Sequence, residues 1–296
     1  MKVLLVYNLH AGSGYAKKKL AQIETSFNKN LVEFEIQFTN YPGHGIEIVK
    51  NADLSKYDGV VAAGGDGTLF EVINGYFQNT SGTKIPIGVL PVGTGNAFAR
   101  DLELDNKKCE EALKIIANQN TRKVDVGKFH THGQDYYYLN ILGLGFVADV
   151  TKTARKLKLF GNIAYTYGVL FRTLFLSAEK MSFEIDGQKF EHDCTFVEIS
   201  NTRYTANFLM SPNAIIDDGL LDVTIAKKLS RIKLIKSFPK IFTGEHIYLP
   251  EIETFQAKRI KIKSETPKVL SPDGELIGIT PVEIECLQQA IEVYWK

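Results

Sequence analysis

Residues 64–77 read GGDGTLFEVINGYF, follow the apolar run Gly59–Ala63 and begin a helical pattern. Glycines in such a loop let the backbone adopt positive φ and come close to a ligand. The N–H groups then point outward at the start of a helix, where the helix dipole favours anions. Asp66 would repel a phosphate group unless a cation such as Mg²⁺ lies between them. Taken alone, this loop fits either a phosphate site or an ordinary strand-to-helix turn.

Two further glycine-rich loops favour the phosphate site. Residues 90–102 read LPVGTGNAFARDL and contain the loop Pro91–Asn96, and the loop Asn8–Gly14 follows the first predicted strand. Loops that follow parallel strands meet at the carboxyl edge of the sheet, where open α/β sheets bind ligands. The sequence therefore predicts a nucleotide site. It contains no GxxxxGK[ST], no GxGxxG and no HRD or DFG motif, which argues against a Walker A loop, a dinucleotide site and a protein kinase.

The first 125 residues alternate short apolar runs with helical patterns. The predicted strands are Lys2–Tyr7, Phe34–Phe38, Gly59–Ala63 and Ile85–Leu90, and the predicted helices are Ala16–Phe27, Ile46–Ala52, Thr68–Phe77 and Cys109–Ala117. Strands and helices that alternate at this spacing predict a parallel sheet with helices on its faces.

After about Asp125 the pattern changes to short strands joined by turns such as Asp186–Gly187 and Asp218–Gly219. The predicted strands are Val126–Phe129, Tyr136–Leu142, Met181–Ile185, Phe196–Ser200, Leu220–Ala226, Ile260–Lys263 and Val282–Glu285, with helical patterns over Val150–Leu176 and Ser230–Phe242. Mostly antiparallel β structure is a different class from the first half, so we expect a second domain.

Composition narrows the function classes. The 296 residues are 44% hydrophobic, and 35 basic against 34 acidic residues give a net charge of +1, which argues against a broadly basic nucleic-acid binder. The uncharged runs are shorter than the roughly 18 residues of a membrane-spanning helix. The apolar run Val3–Tyr7 is too short for a secretory signal. Three separated cysteines without a CxxC motif indicate reduced thiols, a cytoplasmic location and no zinc site. His130 and His132 lack a third metal ligand.

GGDGTLFEVINGYF followed by LPVGTGNAFARDL resembles the catalytic domain of the diacylglycerol kinase and sphingosine kinase family of lipid kinases, especially its soluble bacterial type. The resemblance covers nearly the whole chain, although GGDGT alone is shared with NAD kinases and phosphofructokinase-like folds. It implies a Rossmann-like three-layer α/β nucleotide domain over residues 1–125, completed by a C-terminal return near residues 288–296. It further implies an antiparallel β-sandwich lipid-binding domain over residues 126–287.

The resemblance also implies site residues. ATP would be bound by Asn8, Gly12, Thr39, Gly64, Gly65, Asp66, Gly67, Thr68, Glu71, Gly93, Thr94, Gly95 and Asn96. Asp66 would in addition organise Mg²⁺ and the phosphates. The segment SPDGE, Ser271–Glu275, resembles the family's DGE motif, in which the glutamate, here Glu275, acts as the base on the lipid hydroxyl. Without the other motifs, Asp-Gly-Glu would be merely a hairpin turn.

A structural metal site is implied by the segment Ala214–Leu221, which resembles a metal loop of the family. There Asp218 and the carbonyl oxygens of Ile215 and Leu220 would hold Mg²⁺, and hard oxygen ligands suit that ion. A plain turn before the next strand explains the same segment equally well.

Two departures bear on the substrate. Diacylglycerol kinases usually have an aspartate where this chain has Ala97, and sphingosine kinases have alanine there. Gly145–Val150 is similar to the sphingosine kinase segment whose aspartate binds the lipid head group, which makes Asp149 a candidate for that role. Asp149 also fits a helix start, where carboxylates are favoured anyway. Leu9 replaces a proline common in the family, a change expected to matter little.

Basic residues concentrate in two stretches of the second half. Residues 151–180 contain six basic residues and one acidic residue, and residues 227–263 contain ten basic and three acidic. Each basic residue near an anionic membrane is worth on the order of 1 kcal/mol. A solvated helix face explains the first stretch as well. The side chains proposed to contact the membrane are Lys152, Arg155, Lys156 and Lys158, with Leu157, Leu159, Phe160, Tyr165, Leu170, Phe171 and Phe175 between or after them.

These features together predict an ATP-dependent, Mg²⁺-requiring lipid kinase that is cytoplasmic and peripheral at the membrane. The leading acceptor is diacylglycerol, which would give phosphatidic acid, and a sphingoid base or a related lipid is the alternative. More distant alternatives are a soluble NAD-kinase-like enzyme and, because of Ala97, an inactive lipid-binding or regulatory protein. A homodimer is compatible with the sequence, which does not decide the oligomeric state.

Overall fold

The computed structural model describes residues 1–104, 109–156, 163–205 and 208–296. The chain divides into two compact units: Met1–Val124 with Gln289–Lys296, and Asp125–Gln288. Among the described residues, no helix is both long enough and apolar enough to span a membrane.

The first unit is an α/β structure. Its elements are β1 Lys2–Tyr7, α1 Tyr15–Lys29, β2 Glu33–Phe38, α2 His44–Asn51, β3 Gly59–Gly64, α3 Asp66–Gln78, β4 Ile87–Pro91, α4 Ala97–Asp101 and α5 Cys109–Asn118. The four strands are parallel, in the order β2-β1-β3-β4. The strand β3 is buried along its whole length and β1 at all but its first residue, as expected for strands covered on both faces. The predicted α/β class is confirmed.

The order of these strands determines where a ligand can bind. The chain passes from β1 to β2 on one side, and β3 lies on the other side of β1. A doubly wound sheet opens a crevice at such a switch point, at the carboxyl ends of the strands. The loops that follow β1 and β3 begin at that edge.

The second unit is a β structure that also contains helices. The remaining elements of the chain are β5 Thr121–Thr131, β6 Gln134–Tyr138, β7 Ile141–Gly145, α6 Phe146–Lys156, α7 Ile163–Thr173, β8 Glu179–Ile185, β9 Gln188–Ser200, β10 Tyr204–Thr205, β11 Phe208–Leu209, β12 Leu221–Lys227, α8 Arg231–Ser237, β13 Ile252–Ala257, β14 Arg259–Ser264, β15 Leu270–Pro272 and β16 Val282–Tyr294.

Long antiparallel strands organise this second unit. The order is β13-β12-β9-β8-β14-β16, β7 pairs with β9 and β15, and β5 pairs with β6 and β16. The first half of β9 pairs with β8 and its second half with β7, so this one strand takes part in both pairings. Apolar side chains from these strands, such as Phe129, Leu144, Val197 and Ile225, form one buried core. The predicted antiparallel β-sandwich is confirmed.

The last strand, β16, has residues in both units. In the first unit Val293 pairs with Ile87 of β4 in parallel, and the Tyr294 hydroxyl donates to the Asp58 carbonyl at 2.8 Å. The Trp295 N–H donates to the Asn120 carbonyl at 2.9 Å. The final residues therefore extend the sheet of the first unit.

The single strand predicted over Tyr136–Leu142 is wrong, because β6 ends at Tyr138 and β7 begins at Ile141. The N–H groups of Leu139 and Asn140 donate to the carboxylate of Asp273, each at 2.9 Å. Amides bound to a side chain are not available to a neighbouring strand, so the ladder is interrupted there.

The two long helical patterns are each divided. Val150–Leu176 contains most of α6 and all of α7, and the predicted contacts at Leu157, Lys158, Leu159 and Phe160 lie outside the described residues. The pattern Ser230–Phe242 gives α8 and then a 3-10 helix over Phe238–Phe242. Pro239 lacks an N–H and its ring clashes with a carbonyl one turn earlier, so the α-helix stops before it.

Candidate active site

The three glycine-rich loops of the first unit pack against one another. The Asn8 side-chain amide donates to the Thr68 hydroxyl at 3.2 Å, which joins the loop after β1 to α3. The N–H of Gly93 donates to the Gly64 carbonyl at 2.9 Å, which joins the loops after β4 and β3. The structure therefore brings the predicted loops to one edge of the sheet.

Glycine is required where these loops meet. A Cβ atom on Gly93 would lie 2.3 Å from the Gly65 Cα, and one on Gly12 would lie 2.5 Å from the Val92 carbonyl oxygen. Gly12 also has φ of +62°, which favours glycine. Any larger residue would push the loops apart.

Asp66 is the first residue of α3, and it faces the loop after β4. Its Oδ1 accepts from the Phe98 N–H at 3.4 Å, and a Cβ atom on Gly95 would lie 2.9 Å from its Oδ2. A carboxylate at this position suits a cation held beside phosphate, because hard oxygen ligands are those that Mg²⁺ prefers.

Asn96 and Thr94 have different surroundings in the loop after β4. Asn96 is buried with φ of +48°, and its side-chain amide donates to the Gly93 carbonyl at 3.0 Å. Asn96 therefore holds the shape of the turn. Thr94 is exposed, so its hydroxyl is accessible to a ligand.

Glu71 and Thr39 lie at the loop that follows β2. The two carboxylate oxygens of Glu71 accept from the N–H groups of Gly43 and Gly45, at 2.7 and 2.8 Å. Thr39 is buried, and its N–H donates to the Tyr7 carbonyl at 2.9 Å. The geometry gives Glu71 the task of fixing the start of α2, and a contact of either residue with nucleotide stays a prediction.

In the second unit, Glu275 pairs with a residue that the sequence did not connect to it. Its Oε2 lies 2.8 Å from Nη1 of Arg155, and the two side chains are 28% and 32% exposed. The Glu275 N–H donates to the Pro272 carbonyl at 2.7 Å. The carboxylate is thus held by an arginine but remains accessible to solvent. Arg155 is one of the basic residues predicted to contact the membrane, and no signal in the sequence links it to a residue 120 positions away.

Asp273, the first residue of the DGE motif, is buried and holds the chain around β7. Its carboxylate accepts from the N–H groups of Leu139, Asn140 and Ile141, at 2.9 to 3.0 Å. The motif therefore combines a structural carboxylate with an accessible one. The role of Asp273 was not predicted, and its only signal in the sequence is its place two residues before Glu275.

Asp149 is exposed in the first turn of α6 and lines a polar cavity of about 200 Å³. Lys152, Glu179 and Lys268 also line this cavity, and Lys268 forms an ion pair with Glu179. Leu276, the neighbour of Glu275 in the chain, contributes to the wall. Asp149 and the residue that follows the DGE motif therefore border the same cavity.

The predicted metal loop is held by carboxylates. Oδ1 of Asp218 accepts from the Leu220 N–H at 3.0 Å, and the fully buried Asp125 accepts from the Gly219 N–H at 2.6 Å. Burial and the nearby charge of Asp218 raise the pKa of Asp222 to about 6. In the described part of the chain no three His, Cys, Asp or Glu side chains come together as a metal site. The predicted set needs only one carboxylate, that of Asp218, with two carbonyl oxygens, and such hard oxygen ligands suit Mg²⁺.

Comparison with known proteins agrees with this arrangement. The family model for the diacylglycerol kinase catalytic domain matches residues 2–129, and the model for the YegS C-terminal NAD kinase beta sandwich-like domain matches residues 140–295. Diacylglycerol kinase from Bacillus subtilis is 31% identical over 98% of this chain and 94% of its own length. Diacylglycerol kinase from Staphylococcus carnosus is likewise 31% identical, with the same coverage of both chains.

Solved structures give the same result. A crystal structure of a diacylglycerol kinase from Bacillus anthracis superposes with a TM-score of 0.82 at 28% identity, and the match covers 100% of this chain and 97% of that one. Identity of about 30% along the whole length, together with the match to both family models, establishes the family to which the chain belongs. The chain belongs to the diacylglycerol kinase family of lipid kinases and carries its kinase catalytic domain.

Proposed function

We propose that the protein transfers the γ-phosphate of ATP to the free hydroxyl of diacylglycerol, giving phosphatidic acid, at the cytoplasmic surface of a membrane. The observation that carries the proposal is the packing of three glycine-rich loops at the switch point of the first sheet. Backbone N–H groups in such loops bind phosphate without sequence-specific side chains.

The proposed nucleotide site uses the loops after β1, β3 and β4. Asn8, Gly12, Gly64–Thr68 and Gly93–Asn96 line it, with Thr39 and Glu71 at its border. Asp66 would hold Mg²⁺, which neutralises charge on the phosphates when it is bound. The loops themselves orient the triphosphate for transfer.

Glu275 is the proposed general base. It takes the proton from the lipid hydroxyl as that oxygen attacks the γ-phosphorus in line, and the bond to the ADP oxygen breaks. The ion pair with Arg155 supports this role, because it fixes the direction of the carboxylate. Asp273 supports it indirectly by anchoring the turn that presents Glu275.

The proposed lipid site lies on α6. Asp149, in the polar cavity beside Leu276, would accept a hydrogen bond from the lipid head group. The same contact favours a second candidate, a sphingoid base, because the exposed carboxylate of Asp149 would pair with its ammonium group. The proposed metal site, Asp218 with the carbonyl oxygens of Ile215 and Leu220, would stabilise the turn before β12.

Peripheral membrane binding is supported by apolar side chains exposed on α7 and just after it. Tyr167, Leu170, Phe171, Leu174 and Phe175 are 40–65% exposed and recur at the three- and four-residue spacing that places them on one side. On α8, Ile232 and Ile235 are exposed between basic residues. Exposed apolar groups flanked by basic ones are typical of helices that lie in a membrane interface.

A lipid panel tests the proposal. The purified protein is incubated with γ-labelled ATP, Mg²⁺ and one acceptor at a time. Diacylglycerol and a sphingoid base are each supplied in mixed micelles, and NAD is supplied in solution without lipid. We expect label in phosphatidic acid. Label only in the sphingoid base would move the assignment to the second candidate, and label in NAD would overturn lipid kinase activity. The Thr94→Val variant tests the nucleotide site, since loss of its exposed hydroxyl should raise the KM for ATP.

A further inference from the structure

A second cavity, of about 100 Å³, lies on the apolar side of α6. Its walls are largely hydrocarbon and include Phe146, Val150, Phe208, Leu234, Phe238 and Ile252. An apolar cavity of this kind holds a hydrocarbon group more readily than water.

Glu198 lies in this apolar wall. It is fully buried, and its Oε1 accepts from the Thr205 hydroxyl at 2.5 Å. No partner for its Oε2 is found among the described residues. Burial raises the pKa of Glu198 to about 7, so near neutral pH it exists in both protonated and ionised forms. A buried carboxyl with one oxygen unpaired calls for a ligand, since such groups are normally hydrogen-bonded.

His246 contributes a second polar atom to the same cavity. It is 2% exposed, and its Nε2 lies 3.0 Å from the Met210 carbonyl, so Nε2 carries the proton in that hydrogen bond. The Lys240 carbonyl also lies near the ring, but Nδ1 has no hydrogen bond of good geometry within the part of the chain that the structure describes. Burial lowers the pKa of His246 and keeps the ring neutral.

A plain hydrocarbon chain in this cavity would leave both polar atoms unpaired. A hydroxyl group on the chain removes that penalty, because a hydroxyl both donates and accepts. It can accept from protonated Glu198, or donate to the ionised carboxylate or to Nδ1 of His246. The cavity therefore has the chemistry of a site for an apolar chain that carries one hydroxyl.

The helix α6 connects this cavity to the proposed base. Val147, Val150 and Thr151 line the cavity, and Arg155, which pairs with Glu275, follows Val150 by about 7.5 Å along the helix axis. The Thr151 hydroxyl also accepts from the hydroxyl of Ser271 at 3.2 Å, in the segment that carries Glu275.

We propose that this cavity selects an acceptor lipid whose apolar chain carries a hydroxyl group, and that Glu198 and His246 are the residues that recognise it. The inference rests on the proposed function for the statement that the bound lipid is the phosphate acceptor. Binding of the chain itself does not depend on catalysis.

The test compares diacylglycerols with 18-carbon chains in which one hydroxyl is moved along one chain, against the unsubstituted lipid. In the wild type we expect one hydroxyl position to raise kcat/KM at least tenfold over the unsubstituted lipid, mainly through KM. The variant Glu198→Met replaces the carboxyl by an apolar group of similar size. In this variant the ratio of kcat/KM between the hydroxylated and the unsubstituted lipid should fall below threefold, and kcat/KM for the unsubstituted lipid should rise. Glu191→Met, at an exposed position of the same strand, should keep the wild-type ratio.

Binding without ATP separates the two proposals. The rise in melting temperature on adding each lipid reports chain binding alone. If hydroxylated lipids bind with a Glu198-dependent preference but no lipid is phosphorylated, the proposed function fails and the chain site stands. If the wild type phosphorylates unsubstituted and all hydroxylated lipids equally well, the chain site is overturned whatever the behaviour of the variants. An unchanged preference in Glu198→Met also overturns it.

Discussion

At the residue scale, the pair formed by Glu275 and Arg155 gives the clearest prediction. Replacing the proposed base by Glu275→Gln keeps the shape of the side chain but removes proton acceptance. We expect kcat to fall by about 10²–10⁴, the usual contribution of a general base. The KM for ATP should change little, because the predicted nucleotide residues all belong to the first unit.

Steady-state kinetics with diacylglycerol micelles check this prediction, and Glu191→Gln serves as control. Glu191 is half exposed and pairs with Lys180 on the surface, so its loss should leave kcat unchanged. Turnover of Glu275→Gln at the wild-type rate would show that another group accepts the proton.

Glu198 makes the stability of the second unit depend on pH. Burial raises its pKa from 4.5 to about 7, so the folded chain holds this proton more tightly than the unfolded chain. The stabilisation is complete below about pH 4.5 and is lost as the pH rises to about 7. The difference between the two pKa values corresponds to on the order of 3 kcal/mol in the free energy of unfolding.

The variant Glu198→Gln has no such proton to lose. Relative to the wild type, its free energy of unfolding should therefore improve on going from pH 5 to pH 8, which urea unfolding at the two pH values measures. Asp222, whose pKa is also raised, is present in both proteins and cancels in the comparison. If the free energy of unfolding changed equally in both proteins between pH 5 and pH 8, Glu198 would be excluded as the source of the pH dependence.

At the element scale, the parallel strands and their loops were predictable, whereas breaks caused by distant side chains were not. β1 and β3 are apolar runs, and the loop after each contains glycines, so local sequence determined both the strand and the turn. The break between β6 and β7 depends on Asp273, more than 130 residues away, and a local pattern carries no trace of it. Arg155 was not predictable for a similar reason, because 120 residues separate it from Glu275.

The exposed apolar side chains on α7 and just after it lead to a prediction about how the enzyme binds the membrane that contains its substrate. Leu170 and Leu174 are 49% and 62% exposed, and neither lines a cavity described above. Replacing both by serine should weaken binding to anionic vesicles about tenfold or more, because full burial of one leucine is worth about 1.5–3 kcal/mol. Vesicle sedimentation measures the binding.

The control for that experiment is Leu31→Ser, which changes a leucine of the first unit that is even more exposed, at 86%. It should leave vesicle binding unchanged. The double variant should still phosphorylate a short-chain, water-dispersed diacylglycerol at the wild-type rate. Equal vesicle binding by both variants would rule out α7 as a membrane contact.

At the scale of the whole molecule, β16 supplies buried side chains to both units. Val293 is fully buried in the first unit, and Val282 is 1% exposed in the second. Val293→Ala should destabilise the first unit by about 1–3 kcal/mol and speed amide hydrogen exchange in β3 and β4. Val282→Ala, in the same strand, should instead speed exchange in β14, and mass spectrometry of peptides distinguishes the two. Faster exchange in the same peptides for both variants would contradict this division.

The use of Gln289–Lys296 in the first unit has a consequence for biosynthesis. The ribosome makes these residues after the entire second unit, at roughly 5–20 residues per second. The first unit is therefore incomplete while Asp125–Gln288 is being translated, because the residues that pair with the edge of β4 have not yet been made. The second unit can therefore fold before the first unit is complete, because the first unit lacks Gln289–Lys296 until the whole chain has been made.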